Sequence, residues 1–130
     1  MKEVTVIAKN EVGSLAAVAT ALGNVGVNIE AISCYGQNNN AVFRIITADA
    51  STAMRTLGKI PGVELKESEV LLVKMINRPG ELGKITKKLS GHGVNMESLY
   101  IVGRKDDFTE VAIKPAVEHF SKAKELLGMK

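Results

Sequence analysis

The sequence has little of what most familiar sites are made from. One cysteine, Cys34, among 130 residues excludes an internal disulfide framework and fits a reducing compartment, so the cytoplasm is the expected location. No apolar run approaches the roughly 18 residues of a membrane span. The opening "MKEVTVIAKNEVG" goes straight into a strand pattern that includes Glu3, unlike a secretory leader. No group of His, Cys or carboxylates has metal-ligand spacing, and no stretch resembles a phosphate-cradling loop. Catalytic residues, metals and cofactors are therefore expected to be absent. Aromatic residues are only 4% of the chain. The expected central strands offer Phe43 and Phe108 alone to stack on a base, so nucleic-acid binding is disfavoured. The net charge is +3, but the lysines are mixed with acids in "KESE" and "EHFSKAKE", which describes a solvated surface.

What the chain does have is a repeat. "NEVGSLAAVATALGNVGVNIEA" begins at Asn10, and "NRPGELGKITKKLSGHGVNMES" begins at Asn77. At one fixed offset Asn10 matches Asn77, Gly13 matches Gly80, Leu15 matches Leu82 and Leu22 matches Leu89. Gly26, Val27, Asn28 and Glu30 match Gly93, Val94, Asn95 and Glu97, and Gly36 matches Gly103. Helix register accounts for the leucines but not for paired glycines and asparagines. The chain reads as an internal duplication, residues 1–68 and 69–130. Units of that size bury a low fraction of their surface, so each is expected to share an interface, within the chain or between chains.

The first copy opens with a short β-branched run, a strand, over 4–8, then carries Leu15, Val18, Ala19 and Leu22 at helical spacing. "VNIEAISCYG" and "AVFRIITA" read as strands joined by "GQNNN". Ser51 or Thr52 is placed to cap a short helix that ends at "IPG", and a fourth strand is expected near 63–67. The second copy repeats the order, with a strand over 70–76 and a helix bearing Leu82, Ile85 and Leu89. "VNMESLYIV" and "FTEVAIK" follow as strands around "GRKDD". Pro115 suits the first turn of a last helix, and no further strand follows it. The fold class is α+β: two tandem ferredoxin-like βαββαβ units, the second lacking its last strand. Each is an antiparallel sheet of expected order 4-1-3-2 with helices on one face. The second unit's first strand is left with an exposed edge, expected to be covered by the first unit's fourth-strand region or by another subunit.

A helix start at Gly13 or Gly80 leaves backbone N–H groups unpaired at the positive end of the dipole, which suits a carboxylate. Asn10 and Asn77 can cap the loop or bond a ligand. Asn28 and Asn95 open the second strand, at the far end of the helix within their own unit. If an edge strand pairs with the same strand of another unit, a loop faces its partner's asparagine, and carboxylate and ammonium are gripped together. Other residues have plainer readings. Cys34 reads as a packed thiol, His92 as a helix C-terminal cap and His119 as a polar-face residue of the last helix.

These segments resemble the ACT domain, whose motif is approximately [Asn/Asp]-x-Pro-Gly-x-Leu, a helix, then Gly-(Ile/Val)-Asn-Ile. The second copy matches closely, whereas the first has Val12 in place of proline. The resemblance implies a non-catalytic regulatory module that binds a small molecule, most often an amino acid, at interfaces between paired units. By position it implies loop contacts at Asn10, Gly13, Ser14 and Leu15, with Asn77, Arg78, Pro79, Gly80, Glu81 and Leu82. It implies strand contacts at Asn28, Ile29, Asn95 and Met96. Arg78 and Glu81 replace Glu11 and Ser14, so the two loops differ in charge. A homo-oligomer, most simply a dimer, and a separate catalytic enzyme as partner are implied. Three alternatives remain beside it: a regulatory subunit acting by protein contacts, like the small subunit of acetolactate synthase; an RNA-binding ferredoxin-like module; and an acylphosphatase-type enzyme using Arg78.

Overall fold

The computed structural model describes residues 1–129. The chain divides into two compact units, one of Met1–Glu69 and a second that begins at Val70.

The first unit runs β1 (Lys2–Lys9), α1 (Ser14–Asn24), β2 (Ala31–Gln37), β3 (Asn40–Thr47), α2 (Ala50–Leu57) and β4 (Glu64–Glu69). Its sheet is antiparallel in the order β2-β3-β1-β4, which is the expected 4-1-3-2 read from the other edge. Strand alternation sends Val4, Val6, Ala8, Phe43 and Ile45 to one face, where they pack with Val18 and Leu22 of α1 and Ala53 and Leu57 of α2. Both helices therefore cover one face. The other face carries Glu3, which is wholly buried. A buried carboxylate must be paired: Glu3 accepts from Thr5 Oγ1 at 3.2 Å and from Arg44 Nη1 at 3.1 Å. Arg44 Nε in turn donates to the Tyr35 hydroxyl at 3.2 Å.

The second unit runs β5 (Leu71–Ile76), α3 (Glu81–Gly91), β6 (Met96–Lys105), β7 (Phe108–Pro115), a 3-10 turn (Val117–His119) and α4 (Phe120–Leu126). Its sheet is β5-β7-β6, and among the described residues no fourth strand follows α4. Leu71, Val111 and Ile113 pack with Leu89 of α3 and Ala123 of α4, again with both helices on one face. β6 is irregular, with register breaks between Met96 and Ser98 and between Ile101 and Gly103.

Several expectations are corrected. The cap of α2 is Asp49, whose carboxylate accepts from the Thr52 N–H at 3.2 Å, and neither Ser51 nor Thr52 caps it. Hydrogen bonding from the Thr52 side chain, and then from its N–H, holds the Asp49 carboxyl below the usual range. Pro115 ends β7 instead of starting a helix; a residue without an N–H is tolerated at a strand end. The second strand begins later than expected, at Ala31 in the first unit, leaving Asn28 and Ile29 in the preceding loop, and at Met96 in the second, one residue after Asn95. Cys34 is exposed. It shares the helix-side face of the sheet with Phe43, its register partner, but β2 is an edge strand. Partial burial still raises the thiol pKa.

Glycine matters most at both ends of the first helix of each unit. Gly13 and Gly80 enter α1 and α3 at φ 91° and 88°, and Gly26 and Gly93 leave them at φ 76° and 74°. An L side chain is strained there. Nothing lies within 4 Å of a Cβ built on Gly26 or Gly93, so a substitution there meets backbone strain alone. Gly26→Ala and Gly93→Ala are each expected to lower stability by about 1 kcal/mol in urea unfolding, and Gly26→Asn by less. Alanine variants as stable as the parent would remove backbone conformation as the reason for these glycines.

Candidate functional site

The loop from β1 into α1 is built by short-range bonds. The Asn10 N–H donates to Asn39 O at 2.9 Å in the β2–β3 turn, and the Ser14 hydroxyl donates to Lys9 O at 2.8 Å. Gly13 stands at the N-cap without a side chain to offer, no other side chain caps the helix, and the first turn has no acidic residue. The first intrahelical bond runs from the Ala17 N–H to Gly13 O. Of the amides ahead of it, that of Ser14 donates to Glu11 O at 3.3 Å, and no side chain caps those of Leu15 and Ala16, so the end is positively polarised. Beside it lies a hollow of about 460 Å³. Gly13, Ser14, Ala17 and Val18 form one side, Ile60 to Val63 of the α2–β4 turn form the other, and Lys9 and Glu11 bring one charge of each sign.

Of the residues singled out in the first unit, Gly13 and Ser14 line this hollow; Asn10, Leu15, Asn28 and Ile29 do not. The Asn10 amide nitrogen lies 2.8 Å from where a Cβ on Gly36 would be. Asn10 therefore packs toward the β2–β3 hairpin, and Gly36 makes room for it. Asn28 donates to Glu30 Oε1 at 3.0 Å. It follows the far end of an eleven-residue helix, about 16 Å from the Gly13 end. One small ligand cannot touch both within the unit. Ile29 and Met96 pack against the cores of their own units. The α2–β4 turn was not legible as a wall of the hollow, because "IPG" reads only as a helix stop.

The second unit starts its helix in the same backbone form but with different charges. The Asn77 N–H donates to Asp107 O at 2.7 Å, and the Lys84 N–H closes on Gly80 O at 3.1 Å. Glu81, the first residue of α3, stands where the first unit has Ser14. Its carboxylate accepts from Arg78 Nε at 2.7 Å, pairs with Arg78 Nη2 at 2.6 Å and accepts from Lys84 Nζ at 3.1 Å. The side chain is only 13% exposed. The hydrogen bonds from Arg78 and then Lys84 hold its pKa below the ordinary value. This helix end already has its own anion. Pro79 lies in the loop, whereas Leu82 is the second residue of α3, its carbonyl accepting from the Thr86 hydroxyl at 3.0 Å.

Asn95 is fixed at both backbone groups. Its N–H donates to His119 Nδ1 at 3.1 Å, and its carbonyl accepts from the Ala116 N–H at 2.8 Å. His119 thus lies in the 3-10 turn as an acceptor, not on the polar face of α4. His92 is the C-cap of α3, with Nδ1 2.9 Å from Lys88 O. Among the described residues no three His, Cys, Asp or Glu side chains form a metal-binding group, and no helix is long and apolar enough to cross a membrane.

No family model matches the chain, and no curated protein matches it. Solved structures do. Protein BT0572 from Bacteroides thetaiotaomicron is similar at a TM-score of 0.84 and 25% identity, over 98% of this chain and 85% of that one. The regulatory subunit of aspartate kinase from Thermus thermophilus, in its ligand-free form, is similar at TM-score 0.69 and 16% identity, over 98% of this chain and 90% of that one. The same subunit from Thermus flavus gives 0.66 and 17%, with the same coverage. By fold the chain is built of two α+β units of the ferredoxin-like kind, the arrangement that the sequence resemblance to the ACT domain implied.

The Glu81 cluster has a definite pH signature. A carboxylate whose folded pKa is depressed adds stability in full above its unfolded value, about 4.3, and loses it as pH falls through the lower folded value. Glu81→Gln is expected to reduce stability at neutral pH and to flatten its decline between about pH 5 and the acid limit of folding, read by urea titrations at a series of pH values. A parallel decline in parent and variant would show that the cluster is not coupled to folding.

Proposed function

We propose that the chain is a non-catalytic regulatory module that binds a small α-amino acid at the start of α1 and passes the signal to a separate catalytic partner. The observation that carries this is the contrast between the two helix starts. The uncapped amides after Gly13 open beside a hollow, whereas in the second unit Glu81 occupies the equivalent position under Arg78 and Lys84. The ligand carboxylate meets the α1 amides and Lys9, its ammonium meets Glu11, and a short apolar side chain lies toward Ile60 and Val63. The regulatory subunits of aspartate kinase that share the fold support a regulatory role and a catalytic partner.

A second copy completes the assembly through β2. This edge strand has no charged residue in "AISCYGQ" and leaves Ile32 and Tyr35 at 40% and 41% exposure. The opposite edge, β4, carries Glu64, Lys66, Glu67 and Glu69. Uncharged, exposed edges pair unless something prevents it. Pairing two copies there brings one copy's Asn10 loop and Asn28 into reach of the other's. The RNA-binding alternative is weakened, because Phe43 is buried among the core residues and cannot stack on a base. Ligand binding shifts the regulated state only to the extent that it favours one arrangement over another.

A thermal-shift screen of the amino acids tests the reading. A ligand at 100 times its Kd is expected to add about 2.7 kcal/mol, seen as a rise in Tm of several degrees. Ser14→Glu, which copies the second unit's carboxylate onto α1 without straining the backbone, should abolish the rise. Glu81→Ser should leave it intact. A response that survives Ser14→Glu, or no response to any amino acid, would overturn the assignment.

A further inference from the structure

The two units differ along one strand edge. In the first, β1 is flanked on both sides, by β3 and by β4. In the second, β5 pairs with β7, and among the described residues no strand takes its other side. The difference reaches the core. Leu65 of β4, with Ile60 and Val63 just before it, packs against the first core and covers it at that edge. In the second unit Val73, Met75, Leu126 and Leu127 remain only partly buried around theirs.

A bare edge presents a row of backbone N–H and C=O groups that an extended chain can pair with. Charged residues usually blunt such edges, as they do on β4, yet "LLVKMI" in β5 contains only Lys74. We propose that β5 is a docking edge for an extended segment of another polypeptide, which adds as the fourth antiparallel strand of the second unit. The duplication specifies the occupant. Val73 holds the place of Val6, which faces Leu65 across the first ladder, and Lys74 holds the place of Ile7, which faces Glu64. The fitting segment therefore carries a carboxylate followed directly by a leucine-sized side chain. The apolar side chain sits opposite Val73 on the helix side, and the carboxylate sits opposite the exposed Lys74. In a second copy β5 and the uncharged β2 have no carboxylate to offer, and β4, which does carry Glu64 and Leu65, is already held in its own sheet by β1. The proposal stands apart from the amino-acid reading, since the edge is open with or without a ligand in the first unit.

The test uses the full chain, the synthetic peptide GVELKESE copied from residues 62–69, and backbone NMR. Binding is expected to move the β5 resonances and slow exchange of its outward amides. A peptide with proline in place of leucine, which leaves the protein untouched, should not bind. Lys74→Glu should weaken binding about fivefold, and a peptide with lysine in place of its first glutamate should restore it. Binding that spares β5, no binding at all, or a failed charge swap would overturn the proposal. So would β5 amides already protected without peptide in a species whose mass rises with concentration, because a second copy would then hold the edge.

Discussion

A left-handed backbone residue at each end of the first helix is the constraint on which both units depend. At the entrance, Gly13 and Gly80 turn the chain sharply from strand to helix. They leave the N-cap with no side chain, so no side chain caps the first amides of the helix; only the Ser14 and Glu81 N–H groups turn back, to Glu11 O and Arg78 O, each at 3.3 Å. At the exit, Gly26 and Gly93 reverse the chain, and the next residue's N–H returns to the helix: Val27 to Leu22 O and Val94 to Leu89 O, both at 3.0 Å. That bond drives Val27 and Val94 into their cores. It also sets the asparagines after them a full helix length from the loop. The polar geometry of the unit thus follows from four backbone angles, and the hydrophobic core follows from the helix they delimit.

The fold was legible wherever one physical preference acted alone. Short β-branched, apolar runs such as "VTVIA" and "AVFRIITA" marked strands, and apolar spacing marked both long helices. Legibility failed where several residues could serve equally. Asp49, Ser51 and Thr52 are all competent caps, and the choice fell to Asp49 because burying Ala50, Ala53 and Leu57 together places the helix start at Ala50. Cys34 failed for a non-local reason. Its alternation with Ile32 is that of a half-buried strand, yet the strand lies at an edge, and position in a sheet is not written in alternation. Pro115 obeyed two rules at once, as a helix opener and as a strand terminus, and only the ladder with Met96 separates them.

The candidate site was legible to the extent that the repeat wrote it twice. Gly13, Ser14, Gly80 and Glu81 lie where the motif puts them, at the helix starts. The wall made by Ile60 to Val63 was not legible, because the second copy has no counterpart to compare. Asn10 and Gly36 show a further limit. Both recur in the second copy, but nothing comes within 4 Å of a Cβ on Gly103. A shared pair of residues therefore makes a close contact in one unit and not in the other.

Divergence between the copies is concentrated in charge and edges, and this follows from what a duplicated fold can spare. The glycines cannot change without strain, and the buried valines and leucines cannot change without loss of packing. A surface position at a helix start is free to become Ser14 in one copy and Glu81 in the other. With Arg78 in place of Glu11 and Lys84 one turn on, that change gives the second helix end an ion cluster of its own. A helix dipole equivalent to about half a charge meets no acidic side chain in the first turn of α1 and is met by Glu81 in the first turn of α3. Arg78 and Lys84 then serve the internal carboxylate and are less available to an external one. Two copies with the same backbone are in this way made unequal as binding surfaces, with no cost to the fold that both share.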